Sequence, residues 1–243
     1  MKILYAGDSP VGGPANYLLA VLKNLKAGFR HVPPGKTLRL GYFKKRFDVI
    51  ILSDFSRNHA PAAVQHAVVR QIEEGCGFLM IGGWGSFSGP CGGWHGSILE
   101  KRMPVTCLNR DDRVNFPGGA HMMLQCEHPI FQGLSFTHPP AILGLNEIKP
   151  KKNTLTLLSA KKIIRVGDRV MLDPVEHPLL VIDAHPEKRI AALATDIAPH
   201  WCGGLLDWGK THVTLPVAGS IRVEVGNFYV QFLSSLIRWL ARA

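Results

Sequence analysis

The 243-residue sequence has no long apolar run, and none of its runs approaches the roughly 18 residues that a membrane-spanning helix needs. The apolar stretch 3–6 is broken by Asp8, too early for a secretory signal. No internal repeat or low-complexity linker is visible. These absences predict a cytoplasmic protein with no membrane segment, folded as a single domain over residues 1–243.

Cysteine and recognisable metal-ligand motifs are also scarce. The five cysteines are widely spaced and contain no CxxC pair. The sequence therefore indicates neither a disulfide framework nor a zinc finger. No other metal-binding motif stands out, so we expect no metal and no cofactor.

Acidic residues are few in relation to basic ones, with 18 Asp and Glu against 28 Lys and Arg, a net charge of +10. Such a balance favours anionic partners, either phosphorylated metabolites or nucleic acid. The basic residues are scattered, and their densest group, 42–46, leads into an apolar strand and matches no nucleic-acid module. We interpret that group as a solvated face and do not expect nucleic-acid binding.

Strand and helix signals alternate through the first hundred residues. Apolar runs at 2–7, 47–54 and 78–81 predict buried strands, and apolar residues recur at helical spacing in 17–25 and 61–75. Continuous apolar strands are typical of a parallel sheet whose two faces are both covered. The pattern predicts an α/β fold.

The second half of the chain gives weaker signals, with predicted strands only at 154–159, 179–183 and 189–194. Residues 104–175 are rich in Pro, His and Lys, and we expect an irregular insertion with antiparallel edge strands there. The tripeptide 185–187, His-Pro-Glu, lies between two short apolar runs and is interpreted as a hairpin tip. The chain ends on an amphipathic helix at 228–240, which could pack on its own sheet or on a second copy in a homo-oligomer.

Candidate site residues follow the predicted strands, because ligands collect beyond the carboxyl ends of parallel strands. A loop with seven glycines follows the strand 78–81, and two acidic positions, Asp8 and Asp54, follow two others. The loop carries Trp84, Ser86, Cys91, Trp94 and His95. Its side chains either form a binding surface or plug the edge of the core.

A fourth segment, 195–204, follows the last predicted strand and contains Asp196, His200 and Trp201. Asp196 and His200 could act as an acid–base pair, or Asp196 could cap a turn while His200 forms local hydrogen bonds. Six side chains at this sheet edge leave a metal site as a minor alternative: Asp8, Asp54, His95, His121, Asp196 and His200.

Several phrases of the sequence resemble the putative glutamine amidotransferase family, a branch of the class I glutamine amidotransferase-like superfamily found in bacterial cytoplasmic proteins. They are spread over nearly the whole chain, at 47–54, 75–87, 92–94, 104–105, 128–130, 133–134, 143–147 and 194–201. The resemblance implies a flavodoxin-like three-layer sandwich with a mainly parallel sheet.

In active members of that superfamily, a cysteine on a sharp strand-to-helix turn is the nucleophile, a histidine is the base and a glutamate orients it. The resemblance places Trp84 where that cysteine stands, and His200 is a better positional match for the base than His185. An indole ring cannot attack an amide.

Two functions remain open from the sequence. The first is a binding or regulatory protein without glutaminase activity, in which Trp84, Trp94 and Trp201 form an aromatic platform for a small metabolite or carbohydrate. The second is a hydrolase or amidase with Cys91 as nucleophile, His200 as base, and Asp196 or Glu147 as the orienting acid.

Overall fold

The computed structural model describes residues 1–10 and 12–243, and its centre is a nine-stranded β-sheet. In chain order the strands of this part are β1 Lys2–Gly7, β2 Gly28–Val32, β3 Val49–Ser53, β4 Gly77–Ile81, β5 Val105–Cys107, β6 Arg113–Leu124, β7 Ala141–Asn146, β8 Ile148–Pro150, β9 Thr154–Val166, β10 Arg169–Asp183, β11 Ile190–Leu193, β12 His212–Ala218 and β13 Ile221–Gly226. The α-helices are α1 Ala15–Asn24, α2 Ala62–Glu73, α3 Pro199–Cys202 and α4 Asn227–Ala241.

The main sheet has the strand order β2-β1-β3-β4-β11-β10-β9-β6-β7. The first five strands run parallel and the other four are antiparallel. Every residue of β3, β4 and β11 is buried, as expected for strands covered on both faces. The predicted α/β sandwich with a parallel sheet is confirmed.

Helices cover both faces of the parallel half. Helix α4 packs on β3 and β4, and α1 packs beside it, against the β12–β13 hairpin. In the strand order, β2 lies on one side of β1, whereas β4 lies on the opposite side of β3. Because both crossovers are right-handed, α1 and α2 lie on opposite faces of the sheet. The strand order therefore reverses between β1 and β3, the point where open α/β sheets bind their ligands.

The antiparallel half is more regular than the sequence indicated. The segment 104–175, expected to be irregular, holds β5 to β9 and the first part of β10. Strands β9 and β10 form a long hairpin that pairs with β11 on one side and β6 on the other. The expected antiparallel strands are thus confirmed, and they extend the main sheet as far as its edge strand β7.

Two further expectations, the hairpin tip at 185–187 and the C-terminal helix at 228–240, are confirmed. His185, Pro186 and Glu187 lie in the turn that joins the antiparallel strands β10 and β11. The C-terminal helix packs within its own chain, with Phe232, Leu236 and Leu240 fully buried. None of the helices in the described ranges 1–10 and 12–243 is long and apolar enough to cross a membrane.

Candidate functional site at the carboxyl edge of the sheet

Four loops meet at the carboxyl edge of the sheet, as the sequence predicts. Asp8, Asp54, the glycine loop and the segment that begins at Thr195 follow β1, β3, β4 and β11, which are neighbours in the sheet. Asp8 and Asp54 therefore flank the point at which the strand order reverses. Both have left-handed backbones, with φ of 47° and 48°, a conformation that aspartate tolerates better than most residues.

The turn after β4 is closely packed against its neighbours. A Cβ atom at Gly82 would lie 2.1 Å from the carbonyl oxygen of Ala194, and one at Gly83 would lie 2.7 Å from Oδ1 of Asp54. Gly83 also has a φ of 140°, a conformation that strongly favours glycine. The two glycines let the chain leave β4 between two other loops.

Asn146, at the end of β7, holds this turn in place. Its Oδ1 accepts a hydrogen bond from the N–H of Gly83 at 2.9 Å, and its Nδ2 donates to the carbonyl of Gly83 at 3.2 Å. Nδ2 also donates to Oδ1 of Asp112, whose Oδ2 accepts from the N–H of Ser88. The buried pair of Asn146 and Asp112 therefore fixes two points of the glycine loop.

Trp84 projects from the turn toward solvent, with 48% of its surface exposed. The guanidinium of Arg113 lies over its ring, 4.5 Å from the centroid, and the His200 ring meets it edge-on at a centroid distance of 6.3 Å. Asp111 anchors Arg113 through a hydrogen bond of 2.7 Å, which raises the pKa of the guanidinium. An aromatic, a cation and an imidazole thus share one surface.

His200 is held in that position by its neighbour Trp201. Trp201 is buried, and its indole N–H donates to Oδ1 of Asn115 at 3.0 Å. Gly144 lies so close that a Cβ there would be 2.5 Å from the indole ring. The two rings are stacked at 6.4 Å, so the buried Trp201 supports the exposed His200.

The expected aromatic platform of three tryptophans is wrong. Trp94 is fully buried and its indole N–H donates to the carbonyl of Phe55 at 2.9 Å, so it plugs the core. Trp201 is also buried, which leaves only Trp84 of the three facing solvent. Packing against the sheet edge, which has no signature in the sequence, decides this difference.

Two polar residues of the glycine loop are also occupied by contacts within the protein. The buried hydroxyl of Ser86 donates to the carbonyl of Ile81 and accepts from the N–H of Asp54. The ring of the exposed His95 hydrogen-bonds the carbonyl of Cys107 at 3.0 Å. Their expected role as ligand-binding side chains is not supported, because these contacts hold the loop.

Cys91 is exposed, and its N–H donates to the carbonyl of Trp84 at 3.0 Å. In the described part of the chain, no hydrogen bond joins its thiol to a histidine. Glu147, one of the two expected orienting acids, instead pairs with Arg110 at 2.9 Å. The candidate catalytic residues are therefore not assembled into a hydrogen-bonded triad.

Three carboxyl groups beneath this surface have raised pKa values, and desolvation by burial is the main cause in each. The pKa of Asp8 rises to about 7, although Tyr5 donates a 2.5 Å hydrogen bond to it. The pKa of Asp196 rises well above its usual value, with a further contribution from the charge of Asp8. The pKa of Asp54 rises as well, opposed by hydrogen bonds from the loop and by the charge of His200.

Asp196 uses Oδ1 to accept hydrogen bonds from the N–H groups of Ile197 and Ala198. It therefore caps the turn into α3, and among the described residues no hydrogen bond links it to His200. Asp54 is instead the carboxyl whose charge interacts with that histidine. In the described residues, no group of three or more His, Cys, Asp or Glu could hold a metal ion.

Comparison with known proteins agrees with this geometry. A family model described as putative glutamine amidotransferase matches residues 42–215, most of the chain. The chain belongs to the putative glutamine amidotransferase family. The matched range includes both Trp84 and His200, and the match confirms the resemblance carried by the sequence. None of the curated proteins compared with the chain matches it in sequence.

Solved structures extend the comparison to the fold. A cytoplasmic protein of Salmonella typhimurium is 21% identical with a TM-score of 0.73, and the match covers 98% of each chain. A second cytoplasmic protein of that organism is 24% identical with a TM-score of 0.67, covering 84% of this chain and 91% of that one. A putative GMP synthase protein of Thermoplasma acidophilum is 13% identical with a TM-score of 0.53, covering 100% and 95%. These identities establish the shared amidotransferase-like, flavodoxin-like fold and nothing finer.

Four residues that build the site were not predicted from the sequence as site residues: Asp112, Arg113, Asn115 and Asn146. All four lie on β6 or β7 or directly before β6, in the half of the chain that was expected to be irregular. One signal was present, because Asn146 falls within the phrase 143–147 that resembles the family.

Proposed function

We propose that this family member binds a small metabolite or carbohydrate at the carboxyl edge of its sheet and does not hydrolyse glutamine. The observation that carries the proposal is the half-exposed ring of Trp84, which lies beneath Arg113 and beside His200. The sequence resemblance puts this residue where the family's nucleophile is expected. Such a ring can stack on the apolar face of a sugar or a flat metabolite, while the cation and imidazole supply hydrogen bonds.

The backbone around Trp84 supports the absence of glutaminase activity. A nucleophile elbow needs a strained residue on a strand-to-helix turn, with backbone N–H groups that stabilise an oxyanion. Here the positive φ belongs to Gly83 and not to Trp84. Residues 82–99 form a loop, and only a short 3-10 helix follows, at Glu100–Arg102. The Gly83–Trp84 turn therefore carries no thiol, and no α-helix follows it within residues 82–102.

The ligand class follows from the groups at the rim. Arg113 donates hydrogen bonds, Asp54 accepts them, and His200 does either according to its protonation state. The acid and the guanidinium are both held by protein contacts, from Gly85 and Asp111 respectively. A preorganised set of this kind suits an uncharged ligand rich in hydroxyl groups. A cytoplasmic location, which we retain as a proposal, is also the one named for two structural neighbours.

The test combines binding and activity. Saturation-transfer NMR with a library of sugars and polar metabolites is run on the wild type, Trp84→Ala and Trp239→Ala. Trp239 is a matched control, because it also lies beneath an arginine and edge-on to a histidine, Arg189 and His128. We expect a hit whose affinity falls at least tenfold in Trp84→Ala and by less than twofold in Trp239→Ala.

In parallel, release of ammonia from glutamine is measured with the pure wild type. The proposal expects no ammonia above the buffer control. Steady release that disappears in His200→Ala would overturn the claim that glutamine is not hydrolysed. A hit that is weakened equally by both tryptophan variants would overturn the claim about the binding site.

A second candidate is a cysteine-dependent hydrolase or amidase. It is favoured by one observation, the exposed Cys91 tied through its N–H to Trp84 and close enough to Arg113 to influence its pKa. In that reaction His200 would accept the thiol proton, and the thiolate would attack the carbonyl of an ester or amide. The C–O or C–N bond would break, His200 would return the proton to the departing alcohol or amine, and water would then hydrolyse the acyl-enzyme.

Mass spectrometry after mixing with p-nitrophenyl acetate tests this candidate. A hydrolase acylates Cys91 in a burst, does so more slowly in His200→Ala, and is not acylated at this position in Cys91→Ser. Acylation at the same rate with and without His200 would show an ordinary exposed thiol and would rule out the paired mechanism.

A further inference from the structure

A cavity of about 1070 Å³ opens at the amino edge of the sheet, opposite the edge that carries Trp84. Gly75, before β4, and Ile190, at the start of β11, lie at its base. The five residues of β4 separate it from the Trp84 turn by about 16 Å. Its walls are the end of α2, residues 101–104, the β8–β9 turn and the β10–β11 hairpin tip. We call it the amino-edge cavity.

Positive charge dominates the lining of the amino-edge cavity. Four carboxylates face it, from Glu73, Glu74, Asp183 and Glu187. Seven cationic side chains surround them: Arg46, Lys101, Arg102, Lys151, Lys152, Lys188 and Arg242. A concave site with a surplus of one sign of charge raises the local concentration of oppositely charged ligands.

Most of these cations are not neutralised by a carboxylate. Only two form ion pairs in the described structure, Arg102 with Glu73 and Lys188 with Asp183. Arg46 and Arg242 donate to backbone carbonyls, and Lys151 does the same at Glu100 and Met103. A carbonyl satisfies a hydrogen bond but carries no net charge.

Helix ends explain part of this charge. The C-terminal ends of α2 and α4 carry partial negative charge, which a cation stabilises. That accounts for Arg46, which donates to the carbonyl of Glu74, and for Arg242, which directly follows α4. It does not account for Lys101 and Lys152, which have no hydrogen-bond or ion-pair partner within residues 1–10 and 12–243.

The two unpartnered lysines belong to one fixed wall. Strand β5 pairs with β8, and the N–H of Lys151 donates to the carbonyl of Pro104 at 3.0 Å. These contacts join the backbone that bears Lys101 to the backbone that bears Lys152. Burial also lowers the pKa of the neighbouring Lys151, so an anion in the cavity would stabilise its charged form.

We propose that the amino-edge cavity binds a small metabolite with two or more phosphoryl groups. Each phosphate ester carries between one and two negative charges near neutral pH, so such a ligand matches cations on separate walls better than a carboxylate does. The carboxylates of Glu74 and Glu187 accept hydrogen bonds from its hydroxyl or amino groups. This site is separate from the one at Trp84 and does not depend on it.

Isothermal titration calorimetry with the full chain tests the proposal, using tripolyphosphate as the phosphoryl probe and citrate as the carboxylate probe. The variants are the double substitution K101Q/K152Q and a control, K36Q/K210Q, which removes the same charge from exposed lysines outside the cavity. We expect one saturable site for tripolyphosphate, at least tenfold weaker in K101Q/K152Q and within twofold of the wild type in the control.

Three results would overturn the proposal. They are the absence of saturable tripolyphosphate binding, equal losses in the two double variants, and citrate binding as tightly as tripolyphosphate. A single-stranded oligonucleotide gives a further test. If it displaces tripolyphosphate equally well from the wild type and from both double variants, the positive charge forms a general anion-binding surface and the proposal fails. We expect Trp84→Ala to bind tripolyphosphate as tightly as the wild type does. Failure of this proposal and failure of the proposed function can therefore be told apart.

Discussion

Asn146 hydrogen-bonds both polar groups of the Gly83 backbone, accepting from the N–H and donating to the carbonyl. The two residues are separated by 63 positions in the chain, and both contacts are buried. One amide side chain from the antiparallel half of the sheet therefore sets the path of the turn that carries Trp84.

Replacing Asn146 with alanine tests this role. The buried N–H of Gly83 and the carboxyl of Asp112 would each lose a partner, so we expect the free energy of unfolding to fall by about 2–4 kcal/mol. Urea denaturation measures it. The control Asn58→Ala changes an exposed asparagine and is expected to shift stability by less than about 0.5 kcal/mol. Similar values for the two variants would contradict the role.

The buried carboxyl of Asp8 predicts an unusual dependence of stability on pH. Because burial raises its pKa to about 7, the folded state binds a proton more tightly than the unfolded state, whose value lies near 3.8. Its contribution is therefore fully present below about pH 4 and is lost as the pH rises toward 7. Between pH 5.5 and 8 this group should lower the free energy of unfolding by about 2 kcal/mol.

Asp8→Asn removes the titrating group but keeps an oxygen that can accept from Tyr5. We expect it to stabilise the protein relative to the wild type at pH 8 more than at pH 5.5, measured by urea denaturation at both values. The exposed Asp168→Asn serves as the control, and we expect it to leave the pH dependence of the free energy of unfolding unchanged. If the free energy of unfolding of Asp8→Asn changed with pH as much as that of the wild type, another group would be responsible for the pH dependence.

Gly144 is expected to tolerate no side chain. A Cβ atom there would collide with the buried ring of Trp201, so Gly144→Ala should cost about 1–3 kcal/mol and displace His200. Gly118→Ala in β6 is the matched control, because its Cβ would meet its nearest atom at an ordinary 3.5 Å. Thermal unfolding gives the cost, and the histidine NMR signals report the displacement. Equal costs at the two glycines would contradict the steric explanation.

Cysteine labelling should single out Cys91. It is exposed, Cys126 is half-buried, and Cys76, Cys107 and Cys202 are buried. We expect iodoacetamide to modify one thiol rapidly in the native protein, and this fast phase to vanish in Cys91→Ser. Peptide mass spectrometry identifies the site. Fast labelling that persists in the variant would mean that another cysteine is accessible.

Much of the parallel half could be predicted from the sequence, because its strands are buried on both faces. The apolar runs at 2–7, 47–54 and 78–81 give β1, β3 and β4 within two residues at each end. In the antiparallel half the sequence indicated only parts of β9 and β10, at 154–159 and 179–183. Strands β9 and β10 expose charged and apolar side chains, and their register shifts three times, which interrupts the alternation that marks a strand.

The site residues show the same difference between the parallel and the antiparallel half of the sheet. Because parallel strands bring their carboxyl ends to one edge, the sequence located Asp8, Asp54, Trp84 and His200 there. It did not indicate Arg113 or Asn146, whose roles depend on contacts between strands distant in the chain. It left Asp196 open between a partner of the histidine and a turn cap, and the structure shows the second, since Oδ1 accepts hydrogen bonds from two backbone N–H groups before α3.

The sequence by itself determined the fold class and the family. This was possible because a strand buried in a parallel sheet is a continuous apolar run, and the residues that follow its end are read directly from the sequence. Only the tertiary structure decided that Trp84 faces solvent while Trp94 and Trp201 are buried. A glycine loop has no periodicity to orient its side chains, so contacts from Asn146 and Asp54 fix them instead.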